Sequence, residues 1–193
     1  MSRIFTIFGL TGAMLLAGCA APPPLNFAPQ NIEYSQDHLN AELRTISVSF
    51  PSDEKGKIRI WAAQTNVQTG SASADMRVNF KDALEEAINR SGIFKDDAET
   101  KINIYAQLTD LDIPGMGISF PTTTAVLYKI QRRSDGKFLY EKEIKAIGES
   151  AINDFAGVNR SLSAVNVSYQ NNISAFIEDL KRLINASDNP FNQ

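Results

Sequence analysis

The chain contains one cysteine, Cys19, and one histidine, His38, and these two side chains restrict the chemistry that it can perform. With a single cysteine no disulfide can form within the chain, and a zinc site built from cysteine and histidine lacks its donors. His38 lies in a polar, proline-rich stretch, where a histidine is more often an ordinary surface residue than a catalytic base. We therefore expect no metal, no cofactor and no Ser-His-Asp triad.

Carboxylates are the remaining candidates for acid–base chemistry. Glu141 and Glu143 alternate along one predicted strand, so their side chains should lie on the same face. A glycosidase needs two carboxylates on either side of a cleft, whereas two neighbours on an exposed strand are usually solvated. Asp110 and Asp112 could be imagined to bind calcium, but the EF-hand spacing is missing. The sequence therefore predicts no catalytic residue.

The beginning of the chain is typical of an export signal. Arg3 precedes an uncharged apolar run at residues 4–17, which is too short to span a hydrocarbon core of ~30 Å. The motif that follows, Leu16-Ala17-Gly18-Cys19, resembles the lipobox of bacterial lipoproteins. This resemblance implies that residues 1–18 are a signal peptide and that Cys19 is lipidated. The alternative is an ordinary secretory signal that is cleaved near Ala20 or Ala21.

The residues after the motif indicate the location and the reach of the anchor. By analogy with lipoproteins, Ala20 after the cysteine implies sorting to the outer membrane. Residues 19–40 contain Pro22-Pro23-Pro24 and Pro29, a composition that favours extended polyproline II at about 3.1 Å per residue. We therefore predict a flexible tether over residues 19–40 that lets the domain reach roughly 60 Å from the bilayer.

The charge balance argues against one class of partner. Once Arg3 is removed with the signal, the mature chain has 18 basic and 22 acidic side chains. Nucleic acid would favour a basic face, so no nucleic-acid partner is expected. Anionic lipid would not attract the domain either. The contact with the membrane is therefore expected from the lipid on Cys19 alone.

Hydrophobic periodicity predicts the elements of one domain. Alternating residues predict strands over residues 45–50, 102–108, 124–132 and 138–144, with a further short strand at 57–62. Helical spacing predicts a helix that ends at Ser91-Gly92 and a long one over residues 160–184, while residues 69–75 are predicted as loop. This order predicts an α/β (α+β) two-layer sandwich, with a mostly antiparallel sheet of four to five strands packed by two amphipathic helices. The domain is expected over residues 41–187, followed by a tail at 188–193.

One loop is unusually apolar. Residues 113–121 join two predicted strands and include Met116, Ile118 and Phe120. An exposed apolar loop often marks an interface, so these three residues are candidates for contact with a partner. The alternative is that they fold back onto the core.

The mature region resembles small envelope lipoproteins of the auxiliary or assembly-factor kind. The resemblance rests on the lipobox, the helix ending in Ser91-Gly92-Ile93-Phe94, the strand meander and the long last helix. It extends to transporter auxiliary lipoproteins and to the amino-terminal domain of the Tol-system protein TolB. It implies a non-enzymatic binding, scaffolding or transport-auxiliary module that docks on another envelope protein in the periplasm. The alternative is an envelope enzyme, a transferase or hydrolase acting on cell-wall or lipid-linked sugars.

Overall fold

The computed structural model describes residues 24–50, 57–60, 71–113, 121–150 and 157–192. These residues form β1 (Glu42–Ser49), β2 (Lys57–Ile60), α1 (Ser71–Ser91), β3 (Lys101–Ile113), β4 (Thr122–Arg132), β5 (Phe138–Gly148) and α2 (Gly157–Ile184). A short 3-10 helix, Pro190–Asn192, follows α2. The predicted order of strands and helices is confirmed.

The sheet is centred on β3 and β4, which pair in antiparallel fashion. β5 pairs antiparallel with the other side of β4. β1 and β2 both pair in parallel with β3. β1 pairs with the first half of β3 and β2 with the last four residues of β3. The strand order is therefore β1-β3-β4-β5, and β2 lies on the same side of β3 as β1. A parallel pair needs a long crossover, which α1 provides between β1 and β3. The predicted two-layer α+β fold is confirmed, with a mixed sheet.

Both helices pack on the same face of the sheet. α1 contacts β1, α2 contacts β4 and β5, and the two helices contact each other. The apolar stripe of α2 faces the sheet as predicted, because Tyr169, Ile173, Phe176 and Leu180 are all fully buried. The ring of Phe176 stacks on that of Tyr128, with 4.0 Å between the ring centroids. These side chains belong to one hydrophobic core that also includes the alternating inner residues of β3.

The bounds of α1 agree with the sequence at one end only. The predicted end is confirmed: Gly92 follows the helix with a φ of +59°, a left-handed conformation that favours glycine, and its amide donates to the carbonyl of Ile88. A Cβ on Gly92 would also lie 2.3 Å from the ring of Tyr34. The predicted loop at residues 69–75 is wrong from Ser71 onward, where the helix begins. Alternating serine and alanine resembles a loop in composition, but alanine is the strongest helix former.

Buried polar side chains attach α2 to the sheet. The hydroxyl of Ser168 lies 2.9 Å from that of Thr124 and donates to the carbonyl of Ala146 at 3.0 Å. One turn further on, the amide of Asn172 donates to the carbonyl of Ile144 at 2.8 Å and accepts from the hydroxyl of Tyr128 at 3.0 Å. Every member of this set has a partner, so burial in the core leaves few unpaired groups. The contacts fix α2 over β4 and β5.

The predicted tether is wrong for residues 24–40. Phe27 and Leu39 are buried in the core, and Leu39 forms a β-bridge with Phe94. His38, expected on a mobile segment, is half-buried, and its Nδ1 makes a hydrogen bond with the carbonyl of Gly92. Proline content predicts an extended backbone, but the apolar side chains between the prolines decide whether that backbone is free or packed.

The predicted C-terminal tail is also partly folded. Phe191 is buried in the core and lies 6.3 Å, between ring centroids, from Phe94. Phe191 is thus the side chain that docks this segment on the domain. Within the described ranges, no helix has both the length and the apolar composition to cross a membrane.

Candidate functional site

The sheet face opposite the helices is the main candidate for binding. We call it the open sheet face, and it carries the strand residues whose side chains alternate with those of the core. Most of these side chains are polar or charged, whereas three of the exposed large hydrophobic residues of the described chain also lie here. The open sheet face includes Tyr105, Lys129, Gln131, Phe138, Glu141, Glu143, Lys145 and Ile147.

Two aromatic side chains form a patch at one end of this face. Tyr105 of β3 is 38% exposed and Phe138 of β5 is 45% exposed, with one strand between them. Lys129 and Gln131 of that strand connect them: the Tyr105 hydroxyl donates to Gln131 Oε1 at 3.2 Å, and Lys129 Nζ lies 5.4 Å from the centroid of the Phe138 ring. Together with Glu141, which pairs with Lys129 at 2.6 Å, these residues are the Tyr105–Phe138 patch. Exposed aromatics among charged groups are typical of protein interfaces.

The two glutamates of β5 lie on the open sheet face, as predicted. Register places Glu141 opposite Lys129 and Glu143 opposite Leu127, two positions apart on the same side. Each carboxylate has a partner, since Glu141 pairs with Lys129 and Glu143 accepts from the Thr109 hydroxyl at 2.9 Å. This arrangement is typical of solvated ion pairs on a flat surface. The contacts of Glu141 and Glu143 include no carboxylate on the other side of a cleft, which a glycosidase would need.

A polar groove of about 500 Å³ lies between β1 and the C-terminal half of α1. Charged side chains line it, among them Glu42, Arg44, Glu85 and Lys95. Hydrogen bonds from Lys101 and Arg44 lower the pKa of Glu42, so this carboxylate is held in its ionised form. A general acid needs the opposite, a raised pKa. The groove therefore has the electrostatics of a structural ion-pair cluster.

A second charged cluster joins β5 to α2. The carboxylate of Asp179 accepts from Lys142 Nζ at 2.8 Å and from the Tyr140 hydroxyl at 2.8 Å. Burial raises the pKa of Asp179, but the hydrogen bonds from Lys142 and Tyr140 and the charge of Arg182 outweigh it, so the net pKa is lowered. Burial, followed by the bond to Asp179, raises the pKa of Tyr140. The pKa of Asp179 is thus moved downward and that of Tyr140 upward, both away from neutral pH, so neither group is suited to exchange protons there.

The sequence predicts four candidate site residues. Cys19, Met116, Ile118 and Phe120 lie outside the described residues. Among the residues that are described, no group of three or more histidine, cysteine, aspartate or glutamate side chains is placed to hold a metal ion.

Sequence reasoning missed the segment at residues 24–30, which lies against the two helices. Asn166 and Gln170 of α2 bind the backbone of this segment. The available signal was Phe27, an aromatic residue inside a stretch that otherwise has the composition of a linker.

Comparisons with known proteins identify the class of fold. No protein-family model matches the chain, and no curated protein matches it either. Among solved structures, protein XCC0632 from Xanthomonas campestris, of the family DUF330, is similar with a TM-score of 0.53 and 13% identity, over 81% of this chain and 91% of that one. Protein CT253 from Chlamydia trachomatis has a TM-score of 0.48 and 8% identity, over 76% and 99% of the two chains.

A lipoprotein also appears among these structures. GNA1162 from Neisseria meningitidis has a TM-score of 0.31 and 13% identity, over 74% of this chain and 98% of that one. At such identities, the likeness to the Xanthomonas protein shows a shared fold alone, and scores below 0.5 carry no argument. The chain is therefore an α+β sandwich whose fold also occurs in the Xanthomonas protein.

Proposed function

We propose that this chain is a lipoprotein anchored in the outer membrane through Cys19, with its domain in the periplasm. Its role is that of a non-enzymatic binding, scaffolding or transport-auxiliary module for another envelope protein. The anchor is supported by the lipobox-like motif Leu16-Ala17-Gly18-Cys19 and by the apolar run before it. A multiply acylated cysteine would supply the two lipid signals that stable attachment requires.

The observation that carries the binding role is the Tyr105–Phe138 patch. Tyr105 and Phe138 keep large exposed surfaces although both belong to regular strands, and the polar groups around them are already paired. A partner that covers the patch would bury aromatic area without leaving these polar groups unpaired, which avoids the usual cost of desolvating them. Rigid strands present the patch, so little conformational entropy is lost on binding.

Site-specific photocrosslinking in intact cells tests the binding role. A photoreactive side chain at Tyr105 or Phe138 should give the same crosslinked envelope protein from both positions. The matched control is Val78 of α1, which is 58% exposed but lies in the helical layer. A crosslink of equal yield from Val78, or none from either strand position, would exclude the patch as the binding surface.

The anchor is tested on the same strain. Cys19→Ala should abolish lipidation and remove the mature chain from the outer-membrane fraction. Mass spectrometry of the mature amino terminus checks this, because an unmodified terminus at Ala20 or beyond contradicts the lipoprotein assignment. Turnover of a cell-wall or lipid-linked sugar by the purified chain, lost in Glu141→Gln or Glu143→Gln, would favour the enzyme instead.

A further inference from the structure

Residues 24–30 are bound like a docked peptide across the two helices; we call them the strap. The side-chain amide of Asn166 binds its backbone twice, since Nδ2 donates to the carbonyl of Pro24 and Oδ1 accepts from the amide of Asn26, both at 3.0 Å. One turn along α2, Gln170 donates to the carbonyl of Asn26 at 2.9 Å. Two successive amide side chains of α2 thus hold an extended backbone in a fixed register.

An aromatic anchor fixes the middle of the strap. Phe27 is 1% exposed, and its ring centroid lies 4.7 Å from that of Tyr169 on α2 and 6.4 Å from that of Phe80 on α1. Burial of a side chain of this size contributes about as much stability as two or three net hydrogen bonds. The strap is therefore held by the core as well as by its polar contacts.

The far end of the strap is fixed to α1. Arg90 donates to the carbonyls of Pro29 and Gln30, each at 2.8 Å. Beyond it, the amides of Ser35 and Leu39 donate to the carbonyls of Ser91 and Ile93, both at 2.8 Å. From Pro24 onward the chain is thus attached to the domain at regular intervals, so residues 24–40 do not act as a free tether.

The length of chain before the strap then limits the distance to the membrane. Five residues lead from Cys19 to Pro24, and they span at most about 17 Å. A tether that was free up to residue 40 would reach roughly 60 Å. We propose that the docked strap holds the helical layer of the domain against the surface of the lipid bilayer. This proposal rests on the proposed lipidation of Cys19.

The same geometry turns the open sheet face away from the membrane. The strap lies on α1 and α2, and these helices cover the inner face of the sheet. An α-helix with its side chains is about 10–12 Å across, so the sheet lies at least that much farther from the attachment point. The Tyr105–Phe138 patch would accordingly face the periplasm, where a partner can reach it.

Energy transfer to the membrane tests this orientation. The lipidated chain is reconstituted into vesicles of phosphatidylethanolamine and phosphatidylglycerol that contain an acceptor-labelled lipid. Because acylation consumes the only native thiol, Val78→Cys on α1 and Lys145→Cys on the open sheet face can each carry a single donor dye. Transfer should be more efficient from position 78 than from position 145. Equal transfer from both positions, or more from position 145, would overturn the proposal.

Two changes distinguish the effect of the docked strap on energy transfer from the effect of the lipid anchor. An insertion of about 15 Gly and Ser residues after Ala21 leaves every strap contact intact, adds roughly 20 Å of mean reach, and should lower transfer from position 78 about twofold. The double variant Phe27→Ala, Asn166→Ala should lower it similarly by freeing the strap. No response to the insertion would overturn the proposal even if the double variant did not fold.

Failure of the anchor gives a different result. A chain without lipid would not float with the vesicles, would show no transfer from either position, and would lack the acyl mass on Cys19. That outcome overturns the proposed anchor and the inference built on it. A chain that floats and carries the acyl mass but shows equal transfer from both positions overturns the orientation alone.

Discussion

Gly148 of β5 lies close against the backbone of α2, and its replacement by alanine should be strongly destabilising. An added Cβ would lie 2.2 Å from the backbone nitrogen of Ser168, 2.4 Å from the carbonyl oxygen of Ala164 and 2.7 Å from the Cα of Ser168. These are backbone atoms inside a helix, so no side chain can rotate away to make room. α2 would have to move back from β5 by about 1 Å to restore ordinary contact distances.

The cost follows from what that movement disturbs. Overpacking alone typically costs about 1–3 kcal/mol. The bonds of Ser168 to Thr124 and Ala146 would also lengthen, and each is worth about 1 kcal/mol. We therefore expect Gly148→Ala to lower the free energy of unfolding by about 3–5 kcal/mol, out of a typical total of about 5–15 kcal/mol.

Gly136 provides the matched control, because it isolates backbone strain from steric contact. Its φ is +74°, but the nearest atom to an added Cβ is Gln131 Nε2 at 3.6 Å. Gly136→Ala should therefore cost only the left-handed backbone strain, about 1–2 kcal/mol. Urea denaturation of both variants, followed by circular dichroism, measures the difference. If the free energy of unfolding of Gly148→Ala lies within about 0.5 kcal/mol of that of the parent chain, α2 does not dock as closely on β5 as the structure shows.

Three further predictions concern the packing of α2 on the sheet. Asn172→Ala should lower stability by about 3 kcal/mol because it leaves buried groups unpaired, whereas Tyr128→Phe should cost about 1 kcal/mol; denaturant titration of both single variants and the double variant gives their coupling energy. Because the pKa of Asp179 is lowered in the folded state, the stability that the ionised Asp179 contributes is complete above about pH 5 and is lost as the pH falls below about 4. Thermal melts across this range should therefore show a smaller fall in melting temperature for Asp179→Asn than for the parent chain. Phe176→Ala should cost about 3–5 kcal/mol and the exposed Glu178→Ala no more than about 0.5 kcal/mol, and thermal melts that show equal shifts for the two would contradict the packing of α2.

The elements could be predicted wherever the local pattern and the tertiary environment favour the same structure. The alternation of Ile102 and Ile104 with polar residues predicts β3. The gap between the strands predicted over 124–132 and 138–144 is a turn, in which the carboxylate of Asp135 accepts from the amide of Lys137 at 3.0 Å. The parallel pairing of β1 with β3 could not be read in this way. Strand direction depends on the route of the crossover, and no residue of β1 specifies that route.

The candidate site was less predictable than the fold. Glu141 and Glu143 could be placed on one face because a strand has a period of two, but the exposure of Tyr105 and Phe138 depends on the helices covering only the opposite face. A strand residue with an aromatic side chain is usually buried, so sequence alone favours the wrong environment for both.

The polar residues of α2 explain why the strap could not be inferred while the core contacts could. Asn172 lies three residues after Tyr169 and four before Phe176, inside the buried stripe of the helix, so it must find partners within the core. Asn166 and Gln170 lie outside that stripe, where an amide side chain is equally suited to water and to a peptide backbone. Only the position of Phe27 decides between the two, because once its ring packs against Tyr169 the adjoining backbone is brought within reach of both amides. α2 is thus bound on two sides, by the sheet through Asn172 and by the strap through Asn166 and Gln170.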